Sequence, residues 1–452
     1  MTETRQRGLS PSGHAFHSAV PCPGALPSAA HSQAAATPAG LTTSRGAALY
    51  IGALLGPGLL LLPGLAAAEA GPASVLAWAG LLFLSGLFAV VFGSLGRGFP
   101  SAGGVIGYVR AGLGARAGAI AGWSFLAGVV AGAPVVCLIG AGYVTELTGG
   151  GTLARALIAA VLLLAVMALV AGGLRASATA QLLLVSLLLG VVVIAVAGSA
   201  HAARAANWTP FAPHGWQAVG HAAATLMLSF VGWEAVAPLT TRFADPSRQL
   251  PRVMGSALAV TSVLYLGLAV ATIGVLGAGA GTRAPLAALL RDAAGPAGTA
   301  AAAVAAVVLT LGAVNAYVTG AAEMAVELTR AKDTRSGTEP ATRPAPRFLA
   351  VIVVSGLALI SLYGLGLASP AALVAIPTTL FLVVYLGCMT SAVRVLRGPP
   401  RWAAAPAAVI VAVVLGYCGW ALLAALAVIL AVCFARPFAT AADAIRKRYQ
   451  SR

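Results

Sequence analysis

Long runs of apolar residues, separated by short polar segments, cover the chain from residue 46 to residue 435. A helix of about 20 apolar residues is long enough to cross a bilayer. The pattern therefore predicts twelve membrane-spanning helices, at residues 46–68, 73–95, 118–145, 153–171, 178–200, 217–240, 253–276, 297–328, 348–367, 370–393, 403–417 and 419–435. Because the last two segments are short for a full crossing, eleven spans are the alternative.

Composition and charge support a membrane protein and decide between the two counts. The chain is 60% hydrophobic and only 8% charged, which is outside the range of soluble globular domains. Lys and Arg collect in the cytoplasmic loops of membrane proteins. With both termini in the cytoplasm, twelve spans put all 27 basic residues on that side except Arg155, Arg204, Arg283 and Arg291. The net charge of +16 then reflects topology, and nucleic-acid binding, which needs basic residues clustered on a soluble face, is not expected.

The same pattern divides the chain into four parts. Residues 1–44 are rich in Ser, Ala, Pro and Gly without apolar periodicity, which predicts a disordered cytoplasmic tail and not a cleaved signal peptide. Residues 45–396 form the expected core of spans one to ten, residues 397–436 two additional helices, and residues 437–452 a basic cytoplasmic tail. The expected location is the cell membrane, plasma or inner, with the chain crossing the lipid bilayer many times.

Two of the apolar segments carry helix-breaking residues near their middle. They are GALLGPGLLLLP at 52–63 and LMLSFVGWEAVAP at 226–238. An unwound turn at membrane depth persists only where it lines a cavity and can bind a ligand or an ion. Breaks at corresponding positions in two halves of a chain are typical of transporters with a substrate site between inverted repeats.

Glu234 stands out among the few acidic residues, because it follows the flexible Gly232 inside an apolar segment. An ionisable group at membrane depth is a functional candidate. It could bind a proton, accept a hydrogen bond from a substrate, or pair with backbone where two helices meet. The last of these is the purely structural interpretation.

Enzyme and metal chemistry find little support in the sequence. The motifs HExxH, GxSxG and GxxxxGK[ST] are missing from the chain, although they mark common hydrolytic and nucleotide sites. The cysteines have no metal-ligand spacing, and the histidines are dispersed. We therefore expect no enzymatic activity, no metal site and no cofactor.

Four motifs in fixed order resemble the amino acid/polyamine/organocation permease superfamily. They are Gly56-Pro57-Gly58 with Pro63 in the first span, the loop Arg97-Gly98-Phe99-Pro100-Ser101-Ala102-Gly103-Gly104 with Tyr108, Phe230-Val231-Gly232-Trp233-Glu234 in the sixth span, and Asp245-Pro246-Ser247-Arg248-Gln249-Leu250-Pro251-Arg252 after it. Within the family, Gly132-Ala133-Pro134 and Ser101-Ala102-Gly103-Gly104-Val105 most resemble bacterial exporters of methionine and branched-chain amino acids.

The resemblance implies an all-α polytopic fold with a five-plus-five inverted repeat, as in LeuT-like transporters, and unwound first and sixth helices. The first break would offer N–H groups to a substrate carboxylate, and the sixth would offer carbonyls to its ammonium group. Helix N-termini bind anions and carbonyls accept from ammonium, so the chemistry agrees. The expected substrate-binding residues are Leu54, Gly56, Pro57, Gly58, Ala133, Pro134, Phe230, Val231 and Gly232.

The expected gating or coupling residues are Glu234 and, in the eighth span, Asn315. Two positions depart from the family pattern. Pro57 stands where relatives usually have Ser or Thr and lacks a backbone N–H, so carboxylate recognition must rely on Gly58 and its neighbours. Glu323 occupies a region where relatives commonly carry a basic residue.

The sequence thus predicts a secondary active transporter of neutral aliphatic or thioether amino acids, working by alternating access. Its most specific form is an exporter of methionine and branched-chain amino acids that exchanges them for protons or another coupling ion. The cavity walls expected from the sequence are apolar, which disfavours a cationic cargo. The alternatives are an uptake permease or exchanger for cationic amino acids or polyamines, and a membrane solute sensor that does not transport.

Overall fold

The computed structural model describes residues 42–56, 58–99, 104–173, 178–235, 243, 245–330 and 345–434. These residues are helical almost throughout. The α-helices are α1 (Thr43–Leu54), α2 (Gly58–Ala70), α3 (Ser74–Gly98), α4 (Gly104–Leu113), α5 (Ala115–Thr148), α6 (Thr152–Ala171), α7 (Ala178–Ser199), α8 (Gln217–Leu226), α9 (Pro246–Leu276), α10 (Pro285–Arg330), α11 (Pro346–Gly364), α12 (Pro370–Val395), α13 (Pro399–Gly416) and α14 (Leu422–Phe434). The all-α class predicted from the sequence is confirmed.

Helix starts follow local side-chain chemistry. The Asp245 side chain accepts hydrogen bonds from the N–H groups of Ser247 and Arg248, at 3.1 and 3.3 Å, and Pro246 takes the first position of α9. At the start of α12, Ser369 Oγ accepts from the N–H of Ala372 at 3.1 Å. Such caps satisfy donors that have no partner within the helix.

Nine helical stretches among the described residues are long and apolar enough to cross a membrane. They are Gly58–Gly98, Ala115–Thr148, Thr152–Ala171, Leu182–Ala202, Pro246–Gly279, Pro285–Val326, Pro346–Gly364, Pro370–Val395 and Pro399–Gly416. Gly419–Phe434 is a further, shorter apolar helix. The predicted first and sixth spans are each interrupted, which is why neither counts as one long helix. Most of the expected tails, at residues 1–41 and 435–452, lies outside the described residues.

α5 is the most enclosed of these stretches and packs against α4, α6, α10 and α12. Small residues along it let neighbouring helices approach closely. At Gly140, for example, a Cβ would come within 3.1 Å of Thr310 Cβ in α10, and at Gly128 it would lie 3.2 Å from the Phe381 ring in α12. α5 is therefore the helix against which the broken segments can be positioned.

α10 contains a sharp kink near its beginning. Ala294 and Gly295 leave helical geometry there, and Gly295 has a φ of 63°, which favours glycine. The part of α10 after the kink contains the predicted eighth span, residues 297–328, and it carries the residues that face the candidate site.

Candidate functional site

The first apolar segment breaks at its Gly-Pro-Gly sequence. α1 ends at Leu54, and α2 starts again at Gly58. The N–H of Gly56 donates a hydrogen bond to the Leu54 carbonyl at 2.9 Å. A Cβ on Gly58 would lie 2.9 Å from Ser229 Oγ and 3.1 Å from Leu62 Cδ1, so this glycine allows the break to contact the sixth segment. Pro57 lies outside the described residues.

The sixth segment is also interrupted and is not α-helical throughout. α8 ends at Leu226 and is followed by two 3₁₀ turns, Met227–Phe230 and Trp233–Ala235. Between the turns, Val231 is extended, with φ −74° and ψ 142°, and Gly232 has a φ of 130°. A residue with a Cβ rarely adopts that φ, so Gly232 is the position at which the chain needs glycine.

A central cavity lies where the two breaks meet. The cavity is bounded by both breaks, α5, α10 and α12. Its lining residues are Gly56, Gly58, Gly128, Val129, Gly132, Ala133, Val136, Leu228, Val231, Ala313, Val314, Tyr317 and Phe381. None of these described lining residues carries a charge, and Tyr317 supplies the one polar side-chain group among them.

Four of the predicted substrate-binding residues line this cavity together: Gly56, Gly58, Ala133 and Val231. The structure thus brings residues from the first, third and sixth predicted spans to one space. What each would contact in a bound ligand stays a prediction.

The other predicted residues lie near the cavity and do not line it. Four of them are buried around it: Leu54, Pro134, Phe230 and Gly232. The N–H of Gly232 donates to Glu234 and to the Tyr385 hydroxyl. Asn315 is buried on α10, where Thr319 Oγ1 approaches its Oδ1 at 3.5 Å. Their predicted roles remain predictions.

Glu234 is 8% exposed and belongs to a hydrogen-bond network around the second break. Its Oε2 accepts from the N–H of Gly232 at 2.9 Å and from the Tyr385 hydroxyl at 2.5 Å. The same hydroxyl accepts from the N–H groups of Gly232 and Trp233, each at 3.1 Å. Glu234 and Tyr385 therefore satisfy donors that the unwound turn would otherwise leave unpaired.

A second tyrosine links the two breaks directly. The Tyr265 hydroxyl, on α9, lies 2.9 Å from the Leu54 carbonyl and 2.8 Å from the Ser229 carbonyl. A hydroxyl has one hydrogen to donate, so the two carbonyls share one donor. Displacement of either break would change this pairing, which couples the position of one break to that of the other.

Several lining residues were missed by the sequence-based prediction. Gly128, Ala313, Val314 and Phe381 border the cavity but belong to no recognised motif. A signal for Gly128 did exist, because it shares one face of a helix with Val129, Gly132, Ala133 and Val136. For Phe381 there was none, since its approach to Gly128 depends on the packing of α12 against α5.

Metal ligation finds no support in the described part of the chain. It contains no group of three or more His, Cys, Asp or Glu side chains that could hold a metal ion. The arrangement instead offers polar backbone at two helix breaks, set in apolar walls.

These features define a helical membrane protein with an internal apolar cavity where two helix breaks meet. The sequence model of the amino acid permease family matches residues 41–445. The chain therefore belongs to this family, within the amino acid/polyamine/organocation superfamily predicted from the motifs. The family consists of permeases and not enzymes, and membership identifies the chain as a multi-pass membrane protein.

Individual relatives agree with this membership. The chain is 34% identical over 364 residues to the uncharacterized amino acid permease YecA of Bacillus subtilis, an alignment spanning 79% of this chain and 86% of YecA. It is 33% identical over 212 residues to the L-methionine/branched-chain amino acid exporter YjeH of Escherichia coli, covering 46% of this chain and 50% of YjeH. It is 27% identical over 229 residues to the branched-chain amino acid permease BcaP of Bacillus subtilis, covering 46% and 49%.

Proposed function

We propose that this amino acid permease is a secondary active transporter of neutral aliphatic or thioether amino acids that works by alternating access. The observation that carries the proposal is the apolar cavity where the two helix breaks meet, lined by Gly56 and Gly58 of the first break and by Val231 of the second. Unwound backbone at membrane depth is accounted for when it lines such a cavity and meets a polar ligand.

The breaks would recognise the two charged groups shared by all α-amino acids. α2 starts at Gly58, and the N-terminus of a helix suits a substrate carboxylate. The N–H of Leu59 binds the Gly56 carbonyl at 3.2 Å, so the carboxylate would have to displace this bond or use the neighbouring N–H groups. The carbonyls of Phe230 and Val231 would accept from the α-ammonium group. Ala133 would form part of the wall around these contacts, and the buried Leu54, Pro134 and Gly232 would support the lining residues from behind.

The apolar lining supports a substrate whose side chain is uncharged. Val129, Val136, Leu228 and Phe381 offer no acceptor for a side-chain cation. Transferring an unpaired ammonium or guanidinium group from water to such walls is costly. A branched aliphatic or thioether side chain would instead gain free energy from leaving water.

For coupling, we propose that Glu234 exchanges a proton as the sixth segment moves. The Glu234 carboxylate is bound to the N–H of Gly232, one residue from the cavity-lining Val231. Protonation would change the acceptor strength of this oxygen and thereby the geometry of the break. Asn315, buried on α10 near the cavity, would contribute to gating. The coupling ion is thus proposed to be the proton.

We further propose that the chain crosses the membrane twelve times with both termini in the cytoplasm of the cell. The nine long apolar helices of the described residues, the two interrupted segments and Gly419–Phe434 together support this count. Residues 45–396 would form the five-plus-five repeat, residues 397–436 two additional helices, and residues 1–44 and 437–452 cytoplasmic tails. Export is the proposed direction, supported by the partial similarity to YjeH.

Counterflow in proteoliposomes tests this function. Vesicles containing the purified chain are loaded with unlabelled methionine or leucine, and uptake of the labelled amino acid is followed with and without a pH gradient. We expect accumulation of label that depends on the pH gradient. Arginine and putrescine serve as cationic controls and should not exchange.

Other outcomes lead to the alternatives. Exchange of arginine or putrescine in place of leucine would assign the chain to cationic substrates. Saturable binding of leucine with no flux, in vesicles whose protein is correctly inserted, would overturn transport and favour a solute sensor.

A further inference from the structure

A carboxylate with only one of its oxygens hydrogen-bonded lies at the end of α2. Glu69 is the last residue but one of this helix, and its Oε1 accepts a hydrogen bond from Thr225 Oγ1 of α8 at 2.8 Å. The other oxygen, Oε2, is buried and has no hydrogen-bond partner among the described residues. Burying an unpaired carboxylate oxygen is costly. A proton or a neighbouring cation would remove that cost.

The position of Glu69 within α2 makes an uncompensated negative charge still less favourable. The carbonyl end of an α-helix carries a partial negative charge, which attracts cations and repels carboxylates. Glu69 is in the last turn of α2, and this turn, which the structure describes in full, contains no basic residue. A positive charge that stabilises the carboxylate must therefore come from another element.

His221 of α8 can supply that charge. It precedes Thr225 by four residues, so the two side chains share one face of α8, and Thr225 is the residue bound to Glu69. His221 is near enough for its positive charge to attract the Glu69 carboxylate. The imidazole of histidine ordinarily changes charge close to neutral pH. Because His221 is exposed and Glu69 is half-buried, one group can exchange protons with water while the other holds the charge.

The ring of His221 also packs against the end of α13. The ring centroids of His221 and Tyr417 are 5.2 Å apart, and the two planes are nearly perpendicular, at 89°. The backbone beside this contact is equally close, because a Cβ on Gly220 would lie 2.5 Å from Tyr417 Cζ. Packing of this kind restricts the movement of the imidazole, although the ring is exposed to water.

Other ionisable groups around α8 do not titrate beside this contact. α8 packs against α2, α3, α12 and α13, and the ionisable residues of α3, α12 and α13 lie at mid-helix or towards the opposite ends. Cys418, just after α13, contacts the Val414 carbonyl at 3.7 Å, and burial raises the pKa of its thiol. Cys418 therefore stays neutral in the range in which a histidine changes charge.

The charged groups near the end of α2 are of types that keep their charge near neutral pH. α2 is also flanked by α5, α9 and α10. Glu146 of α5 pairs with Arg291 of α10 at 3.4 Å, the exposed Asp292 follows Arg291, and the exposed Arg283 precedes α10. Ordinary Glu, Asp and Arg side chains do not titrate between about pH 6 and 8.5. A response of these helix ends in that range would thus come from the contact of Glu69 with His221.

We propose that Glu69 and His221 form a proton-binding site between the ends of α2 and α8, separate from Glu234 and on the side proposed to face outward. A proton from the outer solution binds to a ring nitrogen of His221, and the imidazolium pairs with the Glu69 carboxylate. Release of the proton restores the neutral ring. α2 and α8 are the outer halves of the two broken segments, so the pair links these halves in the protonated state. The role of this proton in exchange rests on the proposed transport function, whereas its binding does not.

A double-mutant cycle on thermal stability measures the pair without any transport. Melting temperatures of the purified full-length chain in detergent are compared for wild type, Glu69→Gln, His221→Gln and the double variant, at about pH 6 and about pH 8.5. Histidine is ordinarily protonated to a large extent at the lower pH and neutral at the higher one. At the lower pH, the double variant should lose about 1–3 °C less than the two single variants together, as for one ion pair. At the higher pH, the losses should add.

Two further sets of variants separate proton binding from other effects of pH. His221→Lys keeps a positive charge at both pH values, so its coupling with Glu69 should persist at the higher pH. The ion pair of Glu146 with Arg291 is the matched control, because arginine stays charged throughout. Its cycle, with Glu146→Gln and Arg291→Gln, should give the same coupling at both pH values. Additive losses for Glu69 and His221 at the lower pH, or equal coupling at both pH values, would refute the proton site.

Transport and the proton site can fail independently of each other. If leucine exchanges in proteoliposomes but the cycle is additive at both pH values, the proton site is refuted and transport stands. If coupling at the lower pH is found in a chain that exchanges no amino acid, the site stands and the transport function fails. In a chain that transports, His221→Gln should reduce the acceleration of leucine exchange by external acid about two- to fivefold, the kinetic equivalent of one ion pair. His214→Gln, which changes an exposed histidine before α8, should not reduce it.

Discussion

The first helix break exposes its backbone to the central cavity, whereas the second break is surrounded by hydrogen-bonding side chains. At the first break, Gly56 and Gly58 line the cavity, and a Cβ on Gly56 would meet no atom within 4 Å. At the second break, the hydroxyls of Tyr50, Tyr265 and Tyr385 bind its carbonyls or N–H groups. Both breaks lack helical hydrogen bonds, but the first receives a side-chain bond from Tyr265 at the Leu54 carbonyl, whereas the second is bound by Tyr50, Tyr265, Tyr385 and Glu234.

The difference indicates a division of work between the two breaks. A backbone group already bound to a tyrosine is less available to a ligand, because binding must displace an existing hydrogen bond. The first break is therefore suited to hold the substrate carboxylate, while at the second break the proposed contacts with the ammonium group are limited to carbonyls. The second is suited to change its conformation, since each tyrosine comes from another helix: Tyr50 from α1, Tyr265 from α9 and Tyr385 from α12.

The largest effect on transport is expected from placing a bulky side chain in the first helix break. Gly58→Leu should abolish amino acid exchange, because its side chain must displace Ser229 or enter the central cavity. Overpacking of this kind also costs about 1–3 kcal/mol of stability. Counterflow measures the loss, and size-exclusion elution of the purified variant checks that it folds. Normal exchange by a folded Gly58→Leu protein would show that the substrate does not bind at this break.

The next largest effect is expected from removing the hydrogen bonds that Tyr385 makes at the second break. Tyr385→Phe removes the hydroxyl that contacts Glu234 and the N–H groups of Gly232 and Trp233. The Gly232 N–H keeps Glu234 as its acceptor, but the buried Trp233 N–H is left without one and the Glu234 carboxylate loses a donor. Such losses cost about 1–3 kcal/mol each, so we expect a clear drop in melting temperature in detergent together with slower exchange.

The matched control for this variant is Tyr143→Phe. Its hydroxyl donates a single hydrogen bond, to the Leu60 carbonyl at 2.6 Å, away from the second break. It should lower stability by only about 1 kcal/mol. Equal destabilisation by the two variants would contradict the idea that Tyr385 is the centre of a network.

Much of this arrangement followed from the sequence, and the reason is physical. Glycine and proline inside apolar segments marked both breaks, because unpaired backbone at membrane depth is tolerated only where it lines a cavity or is buried in protein. Gly58 and Val231, one from each break, line the same cavity, which agrees with that expectation. The apolar runs also predicted the all-helical class, since only helices or closed barrels satisfy the backbone within a bilayer.

The tyrosine network could not be predicted in the same way. Tyr265 and Tyr385 are separated in sequence from the breaks they contact, by 36 residues for Ser229 and 153 for Gly232. Their spacing carries no periodic signal, and a tyrosine in an apolar span is equally typical of simple packing. Phe381 escaped prediction for the same reason: its place depends on how α12 packs against α5.

A smaller effect is expected from removing the charge at the second break. Glu234→Gln keeps an oxygen that can accept from the Gly232 N–H, so the fold and leucine binding should persist. If Glu234 exchanges the coupling proton, the variant should lose the pH dependence of exchange. Counterflow at a series of external pH values measures this. A Glu234→Gln profile that matches wild type would remove Glu234 from proton coupling and leave it as a brace for the turn.

The smallest effect is expected only two residues away from the most severe one. Gly56→Ala adds a methyl group that meets no atom within 4 Å, so the fold should be retained and the melting temperature unchanged. Exchange of leucine should fall by no more than about twofold, as for substitutions that disturb no packing. Paired with Gly58→Ala, whose Cβ contacts Ser229 Oγ at 2.9 Å, it measures how closely the two breaks must approach. A larger loss in Gly56→Ala than in Gly58→Ala would mean that free cavity space at Gly56, and not contact between the breaks, limits transport.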